Sequence, residues 1–149
     1  MKNSKLKLLK SFITEIKNQE VTHATGIVVL KKCKGAWHVL ILTTDDEYMD
    51  LPKGRIEPGE TFLETAVRET YEEAGLKNIK FPWGLDSIHC ARCKMFAGTT
   101  EEQPVIRKNP VTKQYEHTGY RWMLPEDAKA VLKDYIRPAV DWAISQAQK

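Results

Sequence analysis

Cysteine is scarce in this chain, and long apolar runs are missing altogether. The 149 residues include three cysteines, an odd number and too few for a disulfide scaffold. No stretch approaches the roughly 18 consecutive apolar residues that a membrane-spanning helix requires. Lysines and Glu15 interrupt the first residues, which therefore lack the apolar core of a signal peptide. We predict a cytoplasmic protein with no membrane partner.

Charge of one sign is in excess only near the N-terminus. Residues 1–20 carry five lysines and two glutamates, a surplus of three that equals the net charge of the whole chain. The rest of the chain is neutral, which argues against a large nucleic-acid footprint. We divide the chain into an N-terminal helical extension, residues 1–20, and a single domain, residues 21–149. The oligomeric state stays open.

The N-terminal extension has the pattern of an amphipathic helix over residues 4–18. Its apolar residues recur at helical spacing: Leu9, Phe12, Ile13 and Ile16. Such a helix packs on its own domain or against a second copy of the chain, and contact with nucleic acid is the alternative.

The order of predicted strands and helices indicates an α/β protein. Two β-rich segments, "THATGIVVLKK" and "AWHVLILTT", are separated by "CKG" and are typical of a hairpin. We predict one or two strands in "GLDSIHCARCKMFAG" and another in "QYEHTGYRWM". A helix is predicted over about residues 62–74, between a capping box of Thr61 and Glu64 and the stop at Gly75. Two more helices follow in "PEDAKAVL" and "RPAVDWAISQA". A mixed sheet with helices on both faces fits this order.

The segment "GRIEPGETFLETAVRETYEEAGL" crowds glutamates onto one predicted helix. Residues three and four apart share a helix face, so Glu69, Glu72 and Glu73 converge. A separate apolar stripe is formed by Leu63, Ala66, Val67, Thr70 and Ala74. Converging carboxylates repel one another. They form either a solvated acidic face or the ligand set of a hard divalent cation such as Mg²⁺ or Mn²⁺.

A glycine turn precedes this helix. Gly54 and Gly59 flank "RIEP", so the chain turns tightly and could bring the carbonyl of Gly54 beside the carboxylates. Glu60 lies within reach of Arg68, two helical turns further on. It either holds the arginine in place or forms an ordinary surface ion pair of little energetic value.

This segment resembles the Nudix box, G-x5-E-x7-R-E-U-x-E-E-x-G-U, in which U is a bulky aliphatic residue. The matching residues are Gly54, Glu60, Arg68, Glu69, Glu72, Glu73, Gly75 and Leu76, and Thr70 departs from the pattern. The resemblance implies a Nudix-type α/β/α sandwich that hydrolyses a nucleoside diphosphate linked to another group. It implies Mg²⁺, or Mn²⁺, on Glu69, Glu72, Glu73 and the Gly54 carbonyl. It also implies that Arg68 orients the glutamates and that a carboxylate takes the proton of the attacking water.

Two flanking stretches resemble the diadenosine tetraphosphate hydrolases of this family. These are "DLPKGRIEPGE" and "YEHTGYRWMLPEDA". By this resemblance Glu116 is a further metal ligand or base. Lys53, Arg55 and Lys94 would meet phosphate oxygens, and Tyr120 would pack near the base or phosphates. Arg55 departs from the pattern, since a histidine is commoner there, and Lys53 has the alternative of a solvated loop lysine. His117 has the plain interpretation of a strand residue.

Three functions are compatible with these motifs. The first is Mg²⁺-dependent hydrolysis of a dinucleoside polyphosphate. The second is the same chemistry on the 5′-triphosphate end of an RNA, which the basic N-terminal segment favours and the neutral domain disfavours. The third is a nucleotide sensor that binds without cutting, although a sensor does not need every glutamate of the box.

Two cysteines and two tryptophans have structural interpretations. Cys90 and Cys93 form a C-x-x-C pair, but zinc would need more ligands, and residues three apart on one strand point to opposite faces. Trp37 and Trp83 could stack on a base, although packing in the core is their commoner role.

Overall fold

Seven strands and four helices form the described part of the chain. A computed structural model describes residues 4–11, 22–44, 48–109 and 111–149. The strands are β1 Ala24–Cys33, β2 Ala36–Thr43, β3 Met49–Asp50, β4 Lys53–Arg55, β5 Ser87–Cys90, β6 Cys93–Thr99 and β7 Gly119–Met123. The helices are α1 at residues 4–11, α2 Phe62–Ala74, α3 Pro125–Val131 and α4 Arg137–Ala147, with a short 3-10 turn at Asp134–Ile136.

The N-terminal helix is present where the sequence predicts it. Residues 4–11 are helical, whereas residues 12–18 of the predicted helix lie outside the described residues. None of the helices over the described ranges is both long enough and apolar enough to cross a membrane.

The sheet is mixed, as predicted. Its strand order is β3-β2-β1-β6-β5, with β4 paired to β1 and β7 paired to β2. The β1–β6 pair is parallel, whereas the other pairs are antiparallel. The β1–β2 pair is the hairpin that the sequence indicates. Because β4 pairs with the start of β1, it carries Gly54 beside helix α2.

Helices cover both faces of the sheet, which confirms the predicted α/β sandwich. Successive strand residues point to opposite faces, so Ile27 and Val29 of β1 pack with α2, whereas Val28 and Leu30 pack with α3 and α4. All four of these side chains are fully buried. The two cores hold the α2 face in a fixed relation to β4, and this relation positions the site.

Helix α2 begins and ends where its capping residues predict. The Thr61 hydroxyl accepts a hydrogen bond from the Glu64 amide at 3.1 Å, and the Glu64 carboxylate accepts one from the Thr61 amide at 3.2 Å. Gly75 ends the helix with φ 68°, and its amide donates to the carbonyl of Tyr71. A side chain at Gly75 would also collide with the backbone of Val105, so glycine is required there.

The buried face of α2 differs from the predicted apolar stripe. Val67 is 40% exposed, whereas Thr65 and Glu73 are buried. Threonine can take buried positions because its hydroxyl bonds to the preceding turn. Thr70 donates to the carbonyl of Ala66 at 2.7 Å, and Thr65 donates to the carbonyl of Thr61. The departure at Thr70 from the aliphatic pattern is therefore accommodated.

The last predicted strand is shorter than expected. Strand β7 begins at Gly119, and residues 114–118 form a loop. The amide of Thr118 donates to the carbonyl of Thr43 at 2.8 Å, and this bond joins the loop to the sheet. Glu116 and His117 consequently lie on a loop rather than on a strand.

The C-x-x-C pair is arranged differently from the prediction. Cys90 ends β5 and Cys93 begins β6, and the two residues pair directly across a turn at Ala91 and Arg92. Both side chains therefore enter the same core rather than opposite faces. Trp37 and Trp83 pack edge-to-face at 5.4 Å beside that core, which confirms the structural interpretation of the tryptophans.

Candidate active site

A small polar cleft lies between helix α2 and the loop that connects β6 to β7. Its volume is about 80 Å³, enough for ions and waters but too small for a nucleoside. Helix α2 contributes the three glutamates whose spacing predicts convergence, Glu69, Glu72 and Glu73. The loop contributes Arg107, Asn109, Glu116 and His117. The structure thus brings Glu116, predicted from its flanking motif, to the glutamates of the helix.

Arg68 holds the carboxylates around it in place. Its Nε donates to Glu60 at 2.8 Å, and its Nη1 donates to Glu69 at 2.9 Å and to Glu72 at 3.2 Å. Its Nη2 donates to the carbonyl of Arg55 at 3.0 Å, which ties the helix to β4. Hydrogen bonds from Arg68 lower the pKa of Glu60 to about 2. Arg68 therefore fixes the carboxylates of Glu60, Glu69 and Glu72. Its pair with Glu60 holds the arginine in place and is not an ordinary surface ion pair.

Gly54 is in direct contact with Glu69. A Cβ atom built at Gly54 would lie 2.0 Å from the carboxyl carbon of Glu69, so only glycine leaves room for that carboxylate. The contact holds Glu69 between the β4 backbone and Arg68. Burial raises the pKa of Glu69, and the Arg68 charge opposes that rise.

Glu73 is a buried carboxyl with no hydrogen bond to any residue in the described ranges. Its side chain is 8% exposed, and the imidazole of His117 lies beside it, at 3.8 Å from Nδ1 to Oε2. Burial raises the pKa of Glu73 to about 9, and the neighbouring carboxylates Glu69, Asp50 and Glu116 add to the rise. A buried carboxyl without a partner is costly. A divalent cation would remove this cost, so the oxygen donors fit a metal site.

Glu116 faces Glu73 from across the cleft. Ligand atoms of Glu73, Glu116 and His117 all lie within 4.8 Å of one another. The Glu116 carboxylate accepts a hydrogen bond from the Asn109 side chain at 2.6 Å. The Asn109 carbonyl oxygen in turn accepts from the amides of Val111 and Thr112, so a single asparagine shapes the loop and aims Glu116.

A comparison with known families agrees with this geometry. A family model for the NUDIX domain matches residues 21–143. The chain belongs to the NUDIX family.

Curated relatives of this Nudix hydrolase include asymmetrical bis(5'-nucleosyl)-tetraphosphatases. The asymmetrical bis(5'-nucleosyl)-tetraphosphatase of Caenorhabditis elegans is 29% identical over 119 residues, 72% of this chain and 83% of that one. The Mus musculus protein of the same name is 35% identical over 86 residues. That match covers 52% of this chain and 56% of the mouse protein, so it spans about half of that relative. A crystal structure of a C. elegans Ap4A hydrolase binary complex has a TM-score of 0.65 at 20% identity, covers 85% of this chain and 98% of its own, and shows likeness of fold.

Lys53 of the Nudix hydrolase lies outside the carboxylate cleft. Its ammonium pairs with Asp50 at 2.5 Å, and its side chain is 16% exposed, so it is not a solvated loop lysine. Burial opposes the charged form, but the Asp50 carboxylate outweighs burial and raises the pKa of Lys53. Adjacent strand residues point to opposite faces, so Lys53 points away from Glu69 while Gly54 faces it.

Lys53 lines a second, larger pocket. The cavity measures about 350 Å³, within the range of small-molecule sites. Its other lining residues are His23, Ala24, Ala91, Arg92, Cys93 and Tyr135. The pocket combines cationic side chains with an aromatic ring.

The three remaining candidates for substrate contact lie outside both pockets. Arg55 has an exposed side chain on β4. The ammonium of Lys94 lies 4.4 Å from the centre of the Phe62 ring. The hydroxyl of Tyr120 donates to Gln103 at 3.2 Å, and its ring packs against the core under α2. Their contacts with substrate stay predictions.

Three cleft residues were missed by the sequence reasoning: Arg107, Asn109 and His117. Arg107 packs on the ring of Tyr71 at 4.4 Å, which holds it at the cleft. The residues of this loop show no helix or strand periodicity. The one available signal for His117 was its position next to Glu116.

Replacing Lys53 by alanine should destabilise the fold. Asp50 is 8% exposed and would lose its charged partner. Removing one member of a buried pair typically costs about 3 kcal/mol. We expect a loss of this size in the free energy of unfolding, measured by urea denaturation, and partial recovery in Lys53→Met/Asp50→Asn. Lys77→Ala, at an exposed position, is the control. Unchanged stability of Lys53→Ala would contradict the structural importance of the pair.

Proposed function

We propose that this chain hydrolyses a pyrophosphate bond in dinucleoside polyphosphates, of the diadenosine tetraphosphate kind, with Mg²⁺ as its cofactor. The observation that carries the proposal is the cleft in which Glu116 meets Glu69, Glu72 and Glu73. Similarity to the asymmetrical tetraphosphatases supports the substrate class. We place the reaction in the domain spanning residues 21–149. We also propose that the enzyme is cytoplasmic.

The residues of the cleft have different roles in the proposed reaction. Glu69, Glu72, Glu73, Glu116 and the Gly54 carbonyl would hold one or more divalent ions. When bound, the metal supplies positive charge for the phosphate oxygens and lowers the pKa of a coordinated water. Arg68 keeps Glu69 and Glu72 in fixed positions. Glu116, aimed by Asn109, accepts the proton of the attacking water.

The larger pocket suits the remainder of the substrate. Lys53 and Arg92 provide positive charge for phosphate oxygens, and the Tyr135 ring provides an aromatic surface for a base. Arg55, Lys94 and Tyr120 would contact the substrate where it leaves the two cavities.

A substrate panel tests the proposal. Purified protein is incubated with Mg²⁺ and each of diadenosine polyphosphates, ADP-ribose, nucleoside triphosphates and 5′-triphosphorylated RNA, and products are identified by mass spectrometry. We expect dinucleoside polyphosphates to turn over fastest and chelation to abolish turnover. Preferential release of pyrophosphate from RNA would favour the RNA reaction. Nucleotide binding without turnover of any substrate would favour a sensor.

Glu116→Gln should lower kcat at least about tenfold at saturating metal, because losing a proton-transfer group typically costs about a hundredfold or more. The amide keeps the size of the side chain but cannot accept the proton of water. The folded state should be unaffected because Glu116 is exposed. Steady-state kinetics on the best substrate give the measurement, with Glu101→Gln as an exposed control. An unchanged kcat would remove Glu116 from the reaction.

A further inference from the structure

His117 is a cleft residue whose burial the carboxylate chemistry does not explain. Its side chain is 11% exposed, and its Nδ1 faces the Oε2 atom of Glu73 at 3.8 Å. This distance is too long for a hydrogen bond. Neither side chain has a hydrogen bond to another residue in the described part of the chain. The two polar groups thus face each other in the cleft with no hydrogen bond between them.

Both side chains line the small cleft, and neither uses its polar atoms in a hydrogen bond to another described residue, so their ligand atoms are available to a bound ion. A neutral imidazole offers a nitrogen lone pair, which makes histidine a common metal ligand.

The distances suit a common metal ion. Ligand atoms of Glu73, Glu116 and His117 lie within 4.8 Å of one another. Two ligands at about 2.1 Å from one metal can be up to about 4.2 Å apart, so modest side-chain rotation brings all three donors to one ion. The donor set is then two carboxylates and one imidazole, rather than carboxylates alone.

We propose that His117 is a nitrogen ligand in the metal site, and that the position it shares with Glu73 and Glu116 takes a transition-metal ion such as Mn²⁺ or Co²⁺ in preference to Mg²⁺. Imidazole suits first-row transition metals, whereas Mg²⁺ prefers oxygen ligands and retains its waters. This inference rests on the metal site of the proposed function, but it concerns the ligand atoms and not the substrate.

Pulsed electron paramagnetic resonance on bound Mn²⁺ tests the assignment directly. The full chain is stripped with a chelator and loaded with one equivalent of Mn²⁺. A coordinated imidazole gives a ¹⁴N coupling, which we expect in the wild type and in His38→Gln, a matched histidine variant on β2 outside the cleft. We expect the coupling to be lost in His117→Gln. Calorimetric titration should show Mn²⁺ affinity reduced at least about tenfold in that variant, with Mg²⁺ affinity little changed.

A histidine-labelled sample keeps the test decisive if His117→Gln fails to fold. In wild-type protein with ¹⁵N-histidine, the ¹⁴N coupling should be replaced by a ¹⁵N coupling. Absence of any histidine nitrogen coupling from bound Mn²⁺ overturns the proposal. Persistence of the coupling in folded His117→Gln also overturns it, because another nitrogen is then the ligand.

The paramagnetic resonance measurement and the substrate panel test the two proposals separately. Nitrogen coupling without hydrolysis of any substrate would contradict the proposed reaction but would still support His117 as a metal ligand. Hydrolysis without nitrogen coupling would leave the reaction intact and return His117 to a packing role.

Discussion

Glu73→Gln is expected to lower the rate of hydrolysis by about a hundredfold or more, on the scale of losing a group that positions metal or transfers a proton. Glu73 lies at the centre of the cleft, within reach of donors from both α2 and the β6–β7 loop. An amide offers one weaker oxygen donor where a carboxylate offers two charged ones. Kinetics at saturating Mg²⁺ give the measurement, and Mn²⁺ affinity should fall in parallel.

Glu73→Gln should still fold, but the reason differs from the one that the sequence suggested. The glutamate spacing suggested that Glu73 lies off the packed face of α2, but its side chain is 8% exposed. With a pKa raised to about 9, the metal-free carboxyl is neutral at pH 7, and a neutral amide of similar shape replaces it.

The melting temperatures of the metal-free wild type and of Glu73→Gln should differ increasingly as pH rises. Between the ordinary carboxyl pKa and the raised value, the folded wild type binds more protons than the unfolded chain, so its stability falls as pH rises. Metal-free Glu73→Gln lacks this loss, so its advantage in melting temperature should grow from about pH 5 to about pH 8. A near-wild-type rate in the folded variant would mean that Glu73 takes no part in the reaction.

The sequence predicted α2 well because its determinants are local. Thr61, Glu64 and Gly75 fix the two ends through bonds within a few residues. The spacing of Glu69, Glu72 and Glu73 then fixes which side chains converge. The predicted apolar stripe was wrong at Val67, which is 40% exposed, and it omitted Thr65, a buried threonine whose hydroxyl donates to the carbonyl of Thr61.

The parts of the site that the sequence did not predict depend on distant contacts. Asn109 positions Glu116 by a hydrogen bond within a loop that has no sequence periodicity. His117 lies beside Glu73 because the fold brings together two segments that are distant in the sequence. The direction of Lys53 also depends on a distant contact, because Lys53–Arg55 forms strand β4 by pairing with β1. Adjacent strand residues alternate, so Lys53 points away from Glu69 while Gly54 faces it.

Gly54→Ala is expected to lower the rate about a hundredfold, as a displacement of about 1 Å at a reacting centre can do, while leaving the fold intact. The added Cβ would lie 2.0 Å from the carboxyl carbon of Glu69, which is the far end of a flexible side chain. The carboxylate would move rather than the backbone, and its bond to Arg68 would be lost. Gly26→Ala is the matched contrast on the paired strand. Its Cβ would meet the Pro52 carbonyl at 2.1 Å, so that variant should lose stability.

A double-mutant cycle shows whether Gly54 acts through Glu69. If displacement of the carboxylate is the whole effect, Gly54→Ala should cost little further activity or Mn²⁺ affinity in a Glu69→Ala background, because the colliding group is gone. The two substitutions would then be strongly non-additive, and thermal melting of the double variant should match that of Glu69→Ala alone. An equal loss in both backgrounds would mean that Gly54 contributes independently, for example by offering its carbonyl to a metal. A near-wild-type rate in the folded single variant would show that the position of Glu69 does not limit the reaction.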